Sequence, residues 1–161
     1  MLNKVEGMNK VFFDERIIVL NQEVSNREEG LEILSLLLQE KGLVTADFYE
    51  NILKRESVYP TGLSINGYGV AIPHTDSEFV NKSQLGFLKL NKPVIFNEMG
   101  TLDNEVEVNM IFMLALKEAH EQLSMLQQLI TMFQNEQVME SLLNVVEEEE
   151  FLLIMKQQIL I

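Results

Sequence analysis

Residues 110–116 read MIFMLAL, with no polar side chain on which either face of a strand could meet water. A strand of that composition has to be covered on both faces, which calls for helices above and below a sheet rather than a half-exposed antiparallel sheet. Val106, Val108 and Met110 alternate with polar residues, so the run enters the core from a solvated end. We take it as the central strand.

The remaining elements fit around it. Residues 16–20 (RIIVL) form a short β-branched run typical of a buried strand. Ser25 and Glu28 have the spacing of a capping box, Leu31, Leu34, Leu37 and Leu38 recur at helical spacing, and Gly42 stops the helix. Thr45 is the expected cap of a second helix running to about Glu56, with Phe48, Ile52 and Leu53 on one face and Lys54 and Arg55 near its end. Pro60 and Gly62 break it.

Residues 68–72 (YGVAI) predict a strand that Pro73 ends, because proline has no N–H for the ladder and restricts the residue before it. Residues 85–90 and 94–96 predict two strands joined by a turn at Asn91, Lys92 and Pro93. A long helix from about Ala119 carries Leu123, Leu126, Ile130 and Phe133, with Met125, Leu129 and Met132 widening its apolar face. Two more helices are expected over 136–143 and 147–158, the second opening on glutamates that suit the positive end of a helix dipole. Together these predict an α/β fold, a central mixed β-sheet flanked by helices on both faces, built as a single domain over the 161 residues.

Charge and composition exclude several functions. Twelve Lys and Arg against 25 Asp and Glu leave a net charge of −13, the wrong sign for binding a phosphate backbone, so no nucleic-acid partner is expected. No apolar stretch reaches the roughly 18–20 residues needed to cross a bilayer, which argues against direct membrane insertion. The start MLNKVEGMNK lacks the apolar segment of a secretory signal, and a cytoplasmic protein is expected. With no cysteine there is no disulfide, thiolate nucleophile or ordinary structural zinc site, so metal chemistry would fall to carboxylates and two histidines.

The short motifs narrow the chemistry further. Gly67-Tyr68-Gly69 starts like a dinucleotide fingerprint, but Ile72 stands where the third glycine belongs and the segment leads into a strand. Gly62-Leu63-Ser64 starts like a nucleophile elbow, but Asn66 replaces its second glycine, and Ser64 reads as a loop serine. There is no Walker loop. His74, Asp76 and Glu78 are metal-ligating residue types close in sequence, yet without a second cluster they do not make a metal site.

His74 remains, placed after a strand and a proline, where open α/β sheets bind ligands. The bland reading is a satisfied loop histidine. The sharper one is a neutral imidazole nucleophile that accepts a phosphoryl group while nearby donors hold its oxygens. His120 sits in the first turn of its helix, where the dipole disfavours an imidazolium, and it reads equally well as a surface histidine. Arg55 has the plain role of complementing its own helix dipole.

Residues 53–76, LKRESVYPTGLSINGYGVAIPHTD, resemble the fructose/mannitol-type enzyme IIA proteins of the bacterial phosphoenolpyruvate-dependent sugar phosphotransferase system. The segment looks most like the galactitol-specific branch, and the likeness continues through FNEMGTLDNEVEVNMIFMLALKEAHEQLSMLQQLITMF. It implies that His74 accepts a phosphoryl group from the phosphocarrier protein HPr and passes it to a cognate enzyme IIB, with only indirect association with the membrane component enzyme IIC. His120 matches a second histidine that hydrogen-bonds the phosphoryl oxygens or orients the first. Arg55 matches the arginine of an R-E pair that would neutralise those oxygens.

Thr75-Asp76 departs from the small residues common after the acceptor, although it suits the galactitol-like branch. Asp76 is therefore expected to face solvent or orient a ring. His74 is expected to be partly exposed, with Ile72 and Phe79 in an apolar docking patch and the acidic surface steering basic partners. The scheme needs no metal and no cofactor. Two rivals share the same residues: a regulatory module that binds a partner according to its phosphorylation state, as nitrogen-type relatives do, and an interaction protein that keeps the fold without the transfer.

Overall fold

The computed structural model describes residues 12–158, and the polar start at 1–10 read above lies outside the described residues. In chain order the elements are β1 (Ile18–Gln22), α1 (Arg27–Glu40), α2 (Phe48–Val58), β2 (Gly62–Ile65), β3 (Tyr68–Ala71), β4 (Gln84–Asn97), β5 (Glu105–Ala115), α3 (Ala119–Phe133), α4 (Glu136–Asn144) and α5 (Glu148–Gln158). The five strands form one sheet in the order β1-β4-β5-β3-β2. β5 is thus the middle strand, antiparallel to β4 and parallel to β3.

The apolar run works because its side chains alternate between two cores. Met110, Phe112 and Leu114 pack on one face with Leu129, Phe133, Met139, Leu142 and Phe151 from α3, α4 and α5. Ile111, Met113 and Ala115 pack on the other with Leu31, Leu34 and Leu38 of α1 and Phe48 and Ile52 of α2. Each large side chain buried in this way contributes about 1.5–3 kcal/mol relative to exposure. Aromatic contacts lock the first core: Phe87 stacks on Phe151 with centroids 4.3 Å apart, and Phe112 lies 5.5 Å from Phe133.

Several boundaries differ from the sequence reading, each for a local reason. Asn26, not Ser25, caps α1: its side-chain oxygen accepts from Glu29 N–H at 2.9 Å, and the Glu29 carboxylate accepts from Ser25 N–H at 2.6 Å. Asn caps as well as Ser, and this later register keeps Leu31, Leu34 and Leu38 inward. The second helix starts at Phe48, after a turn in which Thr45 carbonyl accepts from Phe48 N–H at 3.1 Å. β1 starts later than expected because Arg16 holds φ 54, outside the strand region. On α3, Leu123 is exposed rather than inward, and Met125, Leu129, Met132 and Phe133 form the buried face.

The two strands expected over 85–96 are one, β4, with a register shift between Lys89 and Val94. This interruption of the pairing accommodates Pro93, which cannot donate to a ladder, without ending the strand.

Residues read as a loop around Ser64 form β2, paired antiparallel with β3. The turn between them is Asn66-Gly67, both at positive φ (53 and 85), the geometry of a tight two-residue hairpin. Gly69 has a separate constraint: a Cβ there would lie 1.7 Å from the Glu107 carbonyl oxygen of β5. The aborted nucleotide motif is therefore explained by a hairpin turn and a close strand approach.

Candidate functional site

Because β3 and β5 are parallel, their C-termini lie at the same end of the sheet. Past Ala71 the chain stays alongside β5: Leu114 N–H donates to Pro73 carbonyl at 2.9 Å, and His74 bridges to Leu114. His74 is thus carried by the sheet rather than by a free loop. It is only 9% exposed, more enclosed than its expected partial exposure.

His74 Nδ1 lies 2.9 Å from the Ile72 carbonyl oxygen. A carbonyl can only accept, so Nδ1 carries the hydrogen and donates it. In the neutral ring Nε2 then holds the lone pair. Burial pushes the His74 pKa below its ordinary value and the Arg55 charge adds to this, against the smaller opposing pull of the Ile72 carbonyl and Asp76. Neutral imidazole with a free Nε2 is the form that can act as a nucleophile or a base near pH 7.

Arg55 lies in the last turn of α2, and its charge acts on this ring. Its guanidinium lies over the Tyr59 ring, 4.9 Å from the centroid, and Nη1 is 3.8 Å from Asp76 Oδ1. Its Nε is buried without a hydrogen-bond partner among the described residues. Asp76 is exposed, as expected, and faces Arg55 rather than the histidine ring's Nδ1, which is taken by Ile72.

A cavity of about 770 Å³ opens beside His74. One wall is the α2–β2 connection, Val58 to Thr61; the other is the β4–β5 loop, Met99 to Asp103, with Leu126 of α3 between them. The loop is held by Glu98 N–H on Asn104 carbonyl at 2.9 Å and by Met99 N–H on Gly62 carbonyl at 2.8 Å. Val58, Tyr59 and Leu102 are exposed around it. They take the place of the expected apolar patch, because Ile72 is fully buried as the sheet's continuation and Phe79 does not line the cavity.

His120 lies in the first turn of α3, just beyond the end of β5, but it is exposed and does not line the cavity. No hydrogen bond joins it to His74 among the described residues, and the Ile72 carbonyl orients the ring in its stead. His74, Asp76 and Glu78 do not gather, and the described residues hold no group of three metal-ligating side chains.

The sequence reading passed over Glu56, which is buried, its carboxylate accepting from Thr61 N–H at 2.7 Å and from Thr61 Oγ1 at 2.8 Å. Burial pushes the Glu56 pKa up, against the lowering effect of those bonds and of Arg27. The signal was available: Phe48, Ile52 and Glu56 recur every four residues, placing an acid on the apolar stripe of α2.

The family model for the phosphoenolpyruvate-dependent sugar phosphotransferase system, EIIA 2, matches residues 11–158. The chain belongs to this family. This EIIA domain is 35% identical over 115 residues to the transcriptional regulator ManR of Bacillus subtilis, which covers 71% of the chain and 16% of ManR. It is 26% identical over 124 residues to the galactitol-specific EIIA component of Escherichia coli K12, covering 77% of the chain and 82% of that protein.

The EIIA fold is also evident in solved structures. A PTS IIA (PtxA) from Streptococcus mutans superposes with a TM-score of 0.74 at 23% identity, covering 97% of this chain and 93% of that one. The enzyme IIA mannitol chain from Escherichia coli, solved in complex with phosphorylated enzyme IIB mannitol, superposes with a TM-score of 0.69 at 23% identity, covering 87% and 94%. The chain thus spans a small part of ManR and most of the galactitol-specific EIIA component. No helix among the described residues is long and apolar enough to cross a membrane.

Proposed function

We propose that this EIIA domain is a cytoplasmic phosphoryl carrier that accepts a phosphoryl group from phospho-HPr on His74 Nε2 and passes it to a galactitol-type enzyme IIB. The observation that carries the reading is the hydrogen bond from His74 Nδ1 to the Ile72 carbonyl, in a ring kept neutral by burial beside a cavity. In the accepting step the Nε2 lone pair forms a bond to phosphorus as the bond from phosphorus to the donor breaks. The ring gains positive character, which the Ile72 carbonyl stabilises at Nδ1–H. No proton has to leave Nδ1, so the reverse attack by enzyme IIB returns the ring to its starting form.

Arg55 is a cation whose charge acts on that ring, and its partly exposed guanidinium, with Nη1 3.8 Å from Asp76 Oδ1, would turn an Nη donor to a phosphoryl oxygen. Its guanidinium is braced by Tyr59 and by Asp76, so charge is in place before the phosphoryl group arrives. His120 would contribute only if the incoming partner or phosphoryl group brought it into the site. The exposed Val58, Tyr59 and Leu102 supply an apolar rim for two partners in succession. Contact with the membrane enzyme IIC would be indirect, through enzyme IIB.

Similarity to ManR favours a second reading, in which phosphorylation of the same histidine controls binding to a regulatory partner. Intact-protein mass after incubation with phosphoenolpyruvate, enzyme I and HPr tests the first step. One acid-labile phosphoryl group on the wild type and on His120→Ala, but none on His74→Ala, supports the acceptor. Onward transfer to enzyme IIB from the same source separates the carrier from the regulator, which would keep the group.

A further inference from the structure

The hydrogen bonds behind His74 form a continuous line that starts at a buried acid. Glu56 Oε2 accepts from Thr61 N–H at 2.7 Å and Glu56 Oε1 accepts from Thr61 Oγ1 at 2.8 Å. Thr61 carbonyl accepts from Ile72 N–H at 3.3 Å, and Ile72 carbonyl accepts from His74 Nδ1 at 2.9 Å. All four residues are buried.

The placement of that line is informative. In the β2–β3 hairpin the last ladder pair is Gly62 with Ala71, so Thr61 and Ile72 form one further pair beyond the regular strands. Hairpin ends fray unless something beyond the ladder holds them. Here the clamp is both oxygens of a single carboxylate on both donors of a single residue, which fixes the Thr61 side chain and its N–H together. A buried carboxylate is costly to keep unless its oxygens are satisfied, and an apolar residue at this point of the α2 stripe would pack without that cost. The acid therefore has a task beyond filling the core.

We propose that Glu56 is a positioning residue for His74: by clamping Thr61 it holds the Ile72 carbonyl where it fixes the histidine in the Nδ1–H form. This rests on the reading of His74 Nε2 as the phosphoryl acceptor. Glu56 touches neither the ring nor the phosphoryl group. It acts by keeping the lone pair on the nitrogen that reacts, and it sits next to Arg55, so one turn of α2 supplies both the cation and the clamp.

The test uses the unphosphorylated protein first. Histidine ¹⁵N shifts report the tautomer of His74, and the amide spectrum and circular dichroism report whether each variant is folded. Wild type is expected in the Nδ1–H form. Thr61→Val, which loses one donor, and Glu56→Gln, whose amide can accept only one of the two bonds, are expected to fold and to show a mixture of tautomers. Thr61→Ser keeps both donors and is expected to restore the wild-type signature. Phosphorylation by HPr should slow about tenfold or more in the first two variants and not in the third.

Folded Thr61→Val and Glu56→Gln with wild-type tautomer and rate would overturn the proposal. So would a loss in Thr61→Ser equal to that in Thr61→Val. If Glu56→Gln fails to fold, the Val and Ser pair decides alone. A wild type that is never phosphorylated would remove the acceptor reading, while the tautomer comparison would still decide whether Glu56 positions the ring.

Discussion

The Ile72 carbonyl oxygen lies 2.9 Å from Nδ1 of His74, two residues further along the same strand extension. A backbone acceptor so close in sequence favours one tautomer of the ring, and the Glu56–Thr61 contacts behind it hold that acceptor in place. Burial keeps the ring uncharged. The consequences are chemical and thermodynamic, and each can be measured.

The pH dependence of stability follows from the depressed His74 pKa. An unfolded histidine titrates near 6.5, whereas the folded ring gives up its proton at lower pH. Between those values the unfolded chain binds a proton that the folded one excludes, so this group's contribution to stability is full above pH 6.5 and is lost as pH falls through the window. Urea denaturation of wild type and His74→Gln at several pH values from 5 to 7.5 is expected to show the wild type losing more stability on acidification. Equal slopes would mean the ring is not held neutral by its surroundings.

Arg55 opposes the imidazolium, since its charge also lowers the His74 pKa, and its buried Nε has no hydrogen-bond partner among the described residues. Arg55→Ala is expected to leave the fold intact, raise the titration midpoint of His74 above that of wild type, and slow phosphoryl transfer about 10²-fold. Arg55→Lys keeps a charge but loses the guanidinium over the Tyr59 ring, and should recover the titration better than the rate. Histidine NMR titration and a transfer time course separate the two.

Gly69 is expected to tolerate no side chain. A Cβ would meet the Glu107 carbonyl at 1.7 Å, and β5 backbone cannot yield as a flexible side chain would. Gly69→Ala should lose at least about 1–3 kcal/mol of stability, measured by chemical denaturation, as β3 and β5 are pushed apart. A neutral result would contradict the strand pairing that delivers His74 to its place.

The cap of α1 offers a milder test of register. Asn26→Ala removes the acceptor for Glu29 N–H and should cost about 1 kcal/mol, whereas Ser25→Ala should be close to neutral because Ser25 contributes its backbone N–H. Thermal melts of the two variants distinguish the caps.

Much of this fold is legible in the sequence. The middle strand was legible because an uninterrupted apolar run has one physical solution, burial on two faces. The α/β layers followed from that strand and the helical stripes around it. β2 was hidden because Gly62 and Ser64 were weighed as pieces of a catalytic motif, although Asn66-Gly67 between Leu63-Ser64-Ile65 and Tyr68-Gly69-Val70 is a hairpin signal. Pro93 reads as a break, since a register shift that absorbs a proline leaves no separate mark in composition.

At the site, the place of His74 followed from the strand and Pro73. The nearness of Arg55, some twenty residues away, came from resemblance, because no local pattern predicts that the last turn of α2 brings its charge to bear on His74. His120 was read by the same resemblance, and the fold places it just beyond the end of β5 but outside the cavity. Glu56 depends on a contact five residues away across a break in the helix, which only three dimensions reveal.

The most direct test of the central claim is ³¹P and ¹⁵N NMR of histidine-labelled protein phosphorylated with phosphoenolpyruvate, enzyme I and HPr. The expected result is a single phosphoryl group bonded to Nε2 of His74, with the hydrogen retained on Nδ1. A phosphoryl group on Nδ1 of His74 or on His120, or none on a folded wild type, would contradict it.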